Sequence, residues 1–373
     1  TLRQTDKFVC NGRHADQHFI LAALATLAAT ASFAQSSVEL YGRMDLGYAS
    51  SKTTLGSTTT KVTSLAGGDS QRTSDRIGLK GTEDLGGGLK ASFNYEMNLT
   101  PDATGAADTS IGSVREGFLA LSGGFGSVKV GTMTNVFDGM VGNTWNNATG
   151  LSGSNVIVMP GRSTNTIAYT SPSFNGLTFG LATFNEKTKV GATTTAAVTS
   201  DATILSLNYA NGPLAIAAGY GQMDSTAAVA AIKLGGLESG ASYAAAALGV
   251  TSTAVKASYD LGVAVPYVLF ADNEIDATVT AGGSTGAASA GLRATEIGAT
   301  FPMGAFTPFV SMVSGKTSGD LSGFKYSGYE AGVTYALSKR TTAYVTLGQK
   351  KLKDDGAQVA KKNATAIGVA HNF

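Results

Sequence analysis

Apolar and polar residues alternate with a period of two in many short stretches of this chain, the pattern of strands with one apolar face. Over residues 38–49, Val38, Leu40, Met44, Leu46 and Tyr48 share one face, while Glu39, Tyr41, Arg43 and Asp45 share the other. The alternation over 89–99 is cleaner: Leu89, Ala91, Phe93, Tyr95, Met97 and Leu99 oppose Lys90, Ser92, Asn94, Glu96 and Asn98. Tyr329, Ala331, Val333, Tyr335 and Leu337 alternate with Glu330, Gly332, Thr334, Ala336 and Ser338 in the same way. The last ten residues repeat the pattern, with Thr365, Ile367, Val369, His371 and Phe373 on one face. Each stretch has the length of a tilted strand that crosses a bilayer, about ten residues.

The connections sort by length. Turn-forming residues mark short links at 83–88, 122–124, 172–176, 211–213, 260–262, 302–304 and 338–340. Long polar stretches lie near 51–71, 99–112, 135–161, 185–201, 222–250, 272–292, 315–323 and 350–361. Seven short and eight long links join sixteen strands and place both ends of the barrel segment on the short-turn side. A soluble sandwich has no reason to segregate its loops this way. A β-helix adhesin would show a short fixed repeat, and none is present. The predicted fold is all-β: a 16-stranded antiparallel transmembrane β-barrel whose first and last strands pair, so that no edge stays open in lipid.

Composition agrees. The chain has 48 Gly, 7 Pro and 14% charged residues, a balance that suits many crowded strands and not a charged disordered chain. The formal net charge of +1, with no basic run interleaved with aromatics, argues against nucleic acid as a partner. The apolar run 19–34 is shorter than the ~20 residues of a spanning helix and ends in Ser32-Phe33-Ala34, a small-x-small cleavage pattern. Residues 1–34 are therefore expected to be an upstream segment plus a removed signal, with the barrel at 35–373. The stretch 1–18 has no initiator Met and contains Cys10, His14 and His18, so an inaccurate gene start is expected there. Without 1–34, acidic and basic residues balance, no Cys remains, and His371 is the one His. No Ser/His/Asp set or metal cluster can be assembled from that inventory. Gly315-Lys316-Thr317 has Val310 where a phosphate loop needs glycine. No enzyme activity, cofactor or metal is expected.

Several stretches carry a family likeness: 37–42 (SVELYG), 74–86 (SDRIGLKGTEDLG), 88–91 (GLKA), 115–118 (REGF), 165–172 (NTIAYTSP), 335–341 (YALSKRT) and the His371-Asn372-Phe373 end. As an ordered set the chain resembles the trimeric general porins of Gram-negative bacteria, in the form common among β-proteobacteria. The resemblance implies a homotrimer in the outer membrane, a third external loop folded into the lumen as a constriction, and a channel for ions and small hydrophilic solutes. It also implies that the terminal Phe373 is an assembly signal. Two positions depart from the family pattern: Thr132 stands where an Arg often follows Gly131, and Asn372 stands where a basic residue is usual.

The constriction is expected from the loop 135–161, which carries Asp138, Trp145, Asn146 and Asn147. Parity places Arg43, Arg76 and Lys80 on the inner face, and Arg162 closes the loop. Arg115 is assigned to the same wall, although either face of its strand could be the apolar one. Glu96 and Asp138 are expected to oppose these cations, with Glu116 and Asp102 as further candidates. The basic excess implies a mild anion preference. A substrate-specific channel for a sugar or organic acid is the alternative. The lysines 350, 351, 353, 361 and 362 form either a solvated loop or a contact for lipopolysaccharide phosphates.

Overall fold

The computed structural model describes residues 37–65, 74–100, 111–141, 157–188, 198–226, 233–234, 237–238, 245–281 and 284–373. The upstream segment 1–34 with its expected cleavage point, and Asp102, Trp145, Asn146 and Asn147, lie outside them.

The chain enters on β1 (Ser37–Leu55), turns back as β2 (Thr58–Leu65), and resumes as β3 (Arg76–Gly86), β4 (Leu89–Leu99), β5 (Ile111–Gly123) and β6 (Gly126–Thr134). A short helix, α1 (Val136–Val141), follows. The wall continues through β7 (Arg162–Thr170), β8 (Leu177–Thr188), β9 (Val198–Asn211) and β10 (Leu214–Ser225). A separate two-stranded ribbon, β11 (Lys233–Leu234) and β12 (Leu237–Glu238), precedes β13 (Ala245–Tyr259). The circuit ends with β14 (Val265–Ala281), β15 (Ser284–Thr300), β16 (Phe306–Gly319), β17 (Phe324–Ala336), β18 (Thr341–Asp354) and β19 (Ala357–Asn372).

Pairing is antiparallel throughout, and β19 returns to β1 with Arg43 opposite Asn372 and Leu55 opposite Ala360. The other edge of β1 is shared: 37–43 pair with β3 and 48–55 with β2. The seventeen strands of the sheet thus fill sixteen wall positions in a closed cylinder. At the seam, the amide of Gly42 donates to the carbonyl of Phe373 (3.1 Å) and the amide of Phe373 to that of Gly42 (3.0 Å). The Phe373 ring lies over Gly42, in the space a Cβ would occupy.

The outer face is apolar, as the alternation requires: Val38, Leu119, Val130, Ile167, Ile297 and Ile367 are all exposed. An apolar belt of this extent is stable only against lipid. The seven short turns fall where expected, and Gly86, Gly87 and Gly88 take φ of 82°, 60° and 81°, which side chains resist.

The long connections differ from expectation. The stretch 350–361 is almost all strand, broken only by a tight turn at Asp355 (φ 43°) and Gly356 (φ 89°). Much of 51–71, 272–292 and 315–323 is likewise strand. In and beside these stretches the outward positions turn polar while Leu292, Tyr326, Leu352 and Ala360 are buried inward, so the apolar outer face ends while the hydrogen-bonded ladder continues. Within the barrel, one apolar cluster joins Phe137, Met140, Ile157 and Met159 to Ile204, Val250, Leu269, Ile275, Leu292 and Val313.

Candidate pore lining

The inner wall is built from the parity opposite the lipid face. Arg43 and Arg76 are register partners across β1 and β3. Next to them, Tyr41 faces Gly78, and an added Cβ at Gly78 would strike the Tyr41 ring. The missing side chain lets the ring cross β3. Its hydroxyl reaches β4, 2.8 Å from Asn94 Oδ1 and 2.9 Å from Glu96 Oε2.

Glu96 is the centre of this cluster. Its Oε1 accepts from Arg115 Nε at 2.7 Å and lies 3.5 Å from an Arg76 nitrogen. Arg115 also donates to Asn98 Oδ1 at 3.0 Å. A break in the β4–β5 register explains how Arg115 arrives there: Glu96 pairs with Glu116, but Met97 pairs with Val114. The resulting β-bulge turns both Arg115 and Glu116 to the inner side, although strict alternation would send one of them to lipid. Glu116 then accepts from the amide and hydroxyl of Thr134, at 3.2 and 2.8 Å. Arg43 donates to Asn372 Oδ1 at 2.7 Å, so the residue that departs from the family pattern ties the closing strand to the arginines. Arg43, Arg115 and Arg162 are all close enough to repel Arg76 electrostatically. The Nε of Arg162 is buried without a hydrogen-bond partner among the described residues.

Two predicted residues stand apart. Lys80 lies toward the short-turn end, 3.2 Å from Glu39 and 4.9 Å from the centre of the Tyr41 ring. Both charges of that pair are well exposed, so it contributes little stability. Asp138 sits in α1, against Gly161, and makes no ion pair with the described residues. Glu96 is not across the lumen from the arginines, as anticipated, but among them. Two carboxylates not singled out from the sequence stand behind the cluster. Asp45 accepts from the Tyr344 hydroxyl at 2.7 Å, and its amide donates to Asp75 Oδ1; they are 0% and 1% exposed.

A second charged group lies on the inner face of β13–β18. Lys256, Glu296, Glu330 and Lys350 are all buried. The Tyr267 hydroxyl donates to Glu296 at 2.6 Å, and that of Thr346 to Glu330 at 3.2 Å. Lys256, and Asn273 on the neighbouring strand, seat the ends of the segment between β6 and β7. Lys256 Nζ donates to the Met140 carbonyl at the end of α1 (2.9 Å), and the Val158 amide donates to Asn273 Oδ1 (3.0 Å). Phe137 and Met159 pack over Gly219 and Gly221 of β10, where side chains would block them. A cavity of about 320 Å³ remains beside α1, lined in part by Thr134, Ser163, Thr166, Ser206 and Asn208. Parity would have flagged these charges, since Glu296, Glu330 and Lys350 oppose Ile297, Tyr329 and Leu347. Lys350 enters the sequence reading only as part of the C-terminal lysine run, and no motif singles out the others.

A closed antiparallel cylinder of sixteen wall positions, with a lipid-compatible outer belt and a charged inner wall, defines a transmembrane β-barrel of the bacterial outer membrane. The chain belongs to the Gram-negative porin family, whose model matches residues 21–355. It is 31% identical over 248 residues to Outer membrane porin protein 32 of Delftia acidovorans, covering 60% of this chain and 65% of that one, just under two thirds of its length. Among solved structures, the anion-selective porin from Comamonas acidovorans superposes with a TM-score of 0.67 at 23% identity, covering 91% of this chain and all of that one. OmpT of Vibrio cholerae, in its trimer form, gives a TM-score of 0.64 at 15% identity, with 91% and 99% covered.

Proposed function

We propose that this chain, freed of residues 1–34, forms a water-filled outer-membrane channel for passive diffusion of ions and small hydrophilic solutes, with a mild anion preference, and that it works as a homotrimer. One observation carries the reading: Arg43, Arg76, Arg115 and Arg162 gather on one part of the inner wall with their counter-charges recessed. The Arg76 side chain keeps 23% of its exposure and Glu96 only 7%, while Asp45 and Asp75 are wholly buried. A solute passing this wall meets guanidinium before Glu96, Asp45 or Asp75, and the nearer Glu116 carboxylate is engaged by the amide and hydroxyl of Thr134. Arginine suits the task because it stays charged and donates in a fixed plane. Diffusion of this kind requires no nucleophile, metal or cofactor; it requires a channel, which is the reading the family supports over an enzyme.

The segment between β6 and β7 supplies the waist in this reading. Its ends rest on the inner side of β10, β13 and β14, well across the wall from β6 and β7, which supports a loop 135–161 that narrows the lumen. At physiological salt the Debye length is about 8 Å, so wall charges bias solutes only where the passage is that narrow. Asp138 on α1 is the acidic group on the loop side. Around the barrel, outer-membrane lipid and lipopolysaccharide are the surrounding partners.

Reversal potentials of single channels in a KCl gradient test the proposal. Mild anion preference is expected, reduced by Arg76→Gln with Arg162→Gln while the barrel stays folded. Clear cation preference would overturn the selectivity reading. Saturable conductance blocked by one sugar or organic acid would replace general diffusion with a substrate-specific channel.

A further inference from the structure

Three lysines on neighbouring strands stand directly opposite one another. Lys316 of β16 is the register partner of Lys325 of β17, which is the partner of Lys353 of β18. Arg293 of β15 extends the row, facing Lys316. All four are exposed and point outward, because their neighbours Leu292, Thr317, Tyr326 and Leu352 are buried on the inner face. They share parity with the lipid-facing Ile297, Met312, Tyr329 and Leu347. Lys351 and Lys361 face each other on the same outer side, closer to the belt, whereas Lys350 and Lys362 turn inward. The lysine run near the C-terminus therefore lies on strands and is divided between two faces, and of its five members Lys353 joins a row made by other strands.

Arg293 is matched by Asp272 at 2.5 Å. Lys316, Lys325 and Lys353 have no acidic partner among the described residues. Like charges directly opposite on adjacent strands destabilise a sheet, so this row is favourable only with an anion laid across it. Strands about 4.8 Å apart give a row about 10 Å wide. Lys316 lies four residues beyond Met312, and Lys325 four residues beyond Tyr329. At about 3.3 Å per residue and about 40° of tilt, that is about 10 Å past the apolar belt on the long-loop side, at headgroup level.

We propose that Lys316, Lys325 and Lys353 form a docking row for the phosphorylated headgroup of an anionic outer-leaflet glycolipid, lipopolysaccharide. Mobile ammonium groups act as point charges for phosphate oxygens and need no fixed fork. The inference rests on the outer-membrane placement of the barrel and is independent of what crosses its lumen.

The test compares the detergent-solubilised protein with Lys316→Gln/Lys325→Gln/Lys353→Gln, and with a control that removes three cations at the opposite end, Lys90→Gln/Lys339→Gln/Arg340→Gln. Binding of lipopolysaccharide and of its enzymatically dephosphorylated form is measured by thermophoresis. Each lysine is expected to contribute about fivefold, so the triple variant loses about 100-fold in affinity and the control stays near the parent. The dephosphorylated lipid should bind parent and triple variant alike. Equal binding of phosphorylated lipid by parent and triple variant, or equal loss in the control, overturns the proposal. Heat-modifiable migration verifies that each variant is folded. Bilayer conductance of the triple variant, expected unchanged, separates failure of this inference from failure of the channel reading.

Discussion

Replacing Glu96 by Gln removes the one carboxylate that Arg76, Arg115 and Tyr41 share while keeping its shape. Gln still offers an oxygen to Arg115 Nε, now at 2.7 Å from it, so the hydrogen bond survives and the charge does not. Both partners are largely buried: the side chains of Arg115 and Arg76 retain 11% and 23% of their exposure. Removing one member of such a group typically costs about 3 kcal/mol, because the remaining cations stay desolvated and repel one another. Arg43 and Arg162 add to that repulsion. The variant should therefore convert to the unfolded form at a clearly lower temperature in detergent gels, and combining it with Arg115→Gln should cost less than the two separate losses. The pore should respond in the opposite sense. One net positive charge gained at about 8 Å from an ion in water is worth about 0.5 kcal/mol before screening, about twofold in favour of the anion and about twofold against the cation. Reversal potentials should then shift toward chloride. A variant as stable as the parent, or a shift toward potassium, would refute the claim that Glu96 neutralises arginines lining the passage.

Two further outcomes follow from the packing. Phe137→Ala empties the space over Gly219 and Gly221 and should loosen α1 from the wall at about 3 kcal/mol; larger and noisier single-channel steps are expected, and unchanged steps would mean that α1 does not border the passage. Gly42→Val collides with the Phe373 ring and with the backbone carbonyl oxygen of Arg76 and should lower the yield of heat-modifiable barrel; a yield equal to the parent's would show that closure of the seam does not depend on this close approach.

The parts of this barrel that the sequence makes legible are those where lipid and water lie on opposite faces. Val38 through Tyr48, Leu89 through Leu99 and the closing strand alternate because each outward residue must be apolar and each inward one need not be, so Arg43, Arg76 and Lys80 could be placed by parity. That logic fails in three ways. Past the lipid edge the outward positions Lys351, Lys353 and Lys361 are polar and Leu352 and Ala360 are buried inward, so β18 and β19 continue through 350–361 without the apolar outer face that marks the strands elsewhere. In β14 the inner face carries Leu269, Ala271 and Ile275 against the segment that packs inside, so apolar residues occupy both sides and the alternation blurs. At Arg115 and Glu116 a bulge changes the parity, an event that leaves no mark in composition. The buried Lys256 belongs to the same difficulty: its parity was readable, but the helix whose end it holds was not.

The bulge in β5 has an evolutionary consequence. Because the bulge is one extra residue set between two correctly facing stretches, loss of Arg115 itself would leave Val114 outward and Glu116 inward and return the β4–β5 pair to simple alternation. A one-residue deletion or insertion elsewhere in the paired part of β5 would instead turn outward residues such as Leu119 and Leu121 toward the channel. Among related chains, a change of length within this wall strand should therefore fall at the bulge, as the gain or loss of one inward cation, while the other insertions and deletions collect in the long outer connections.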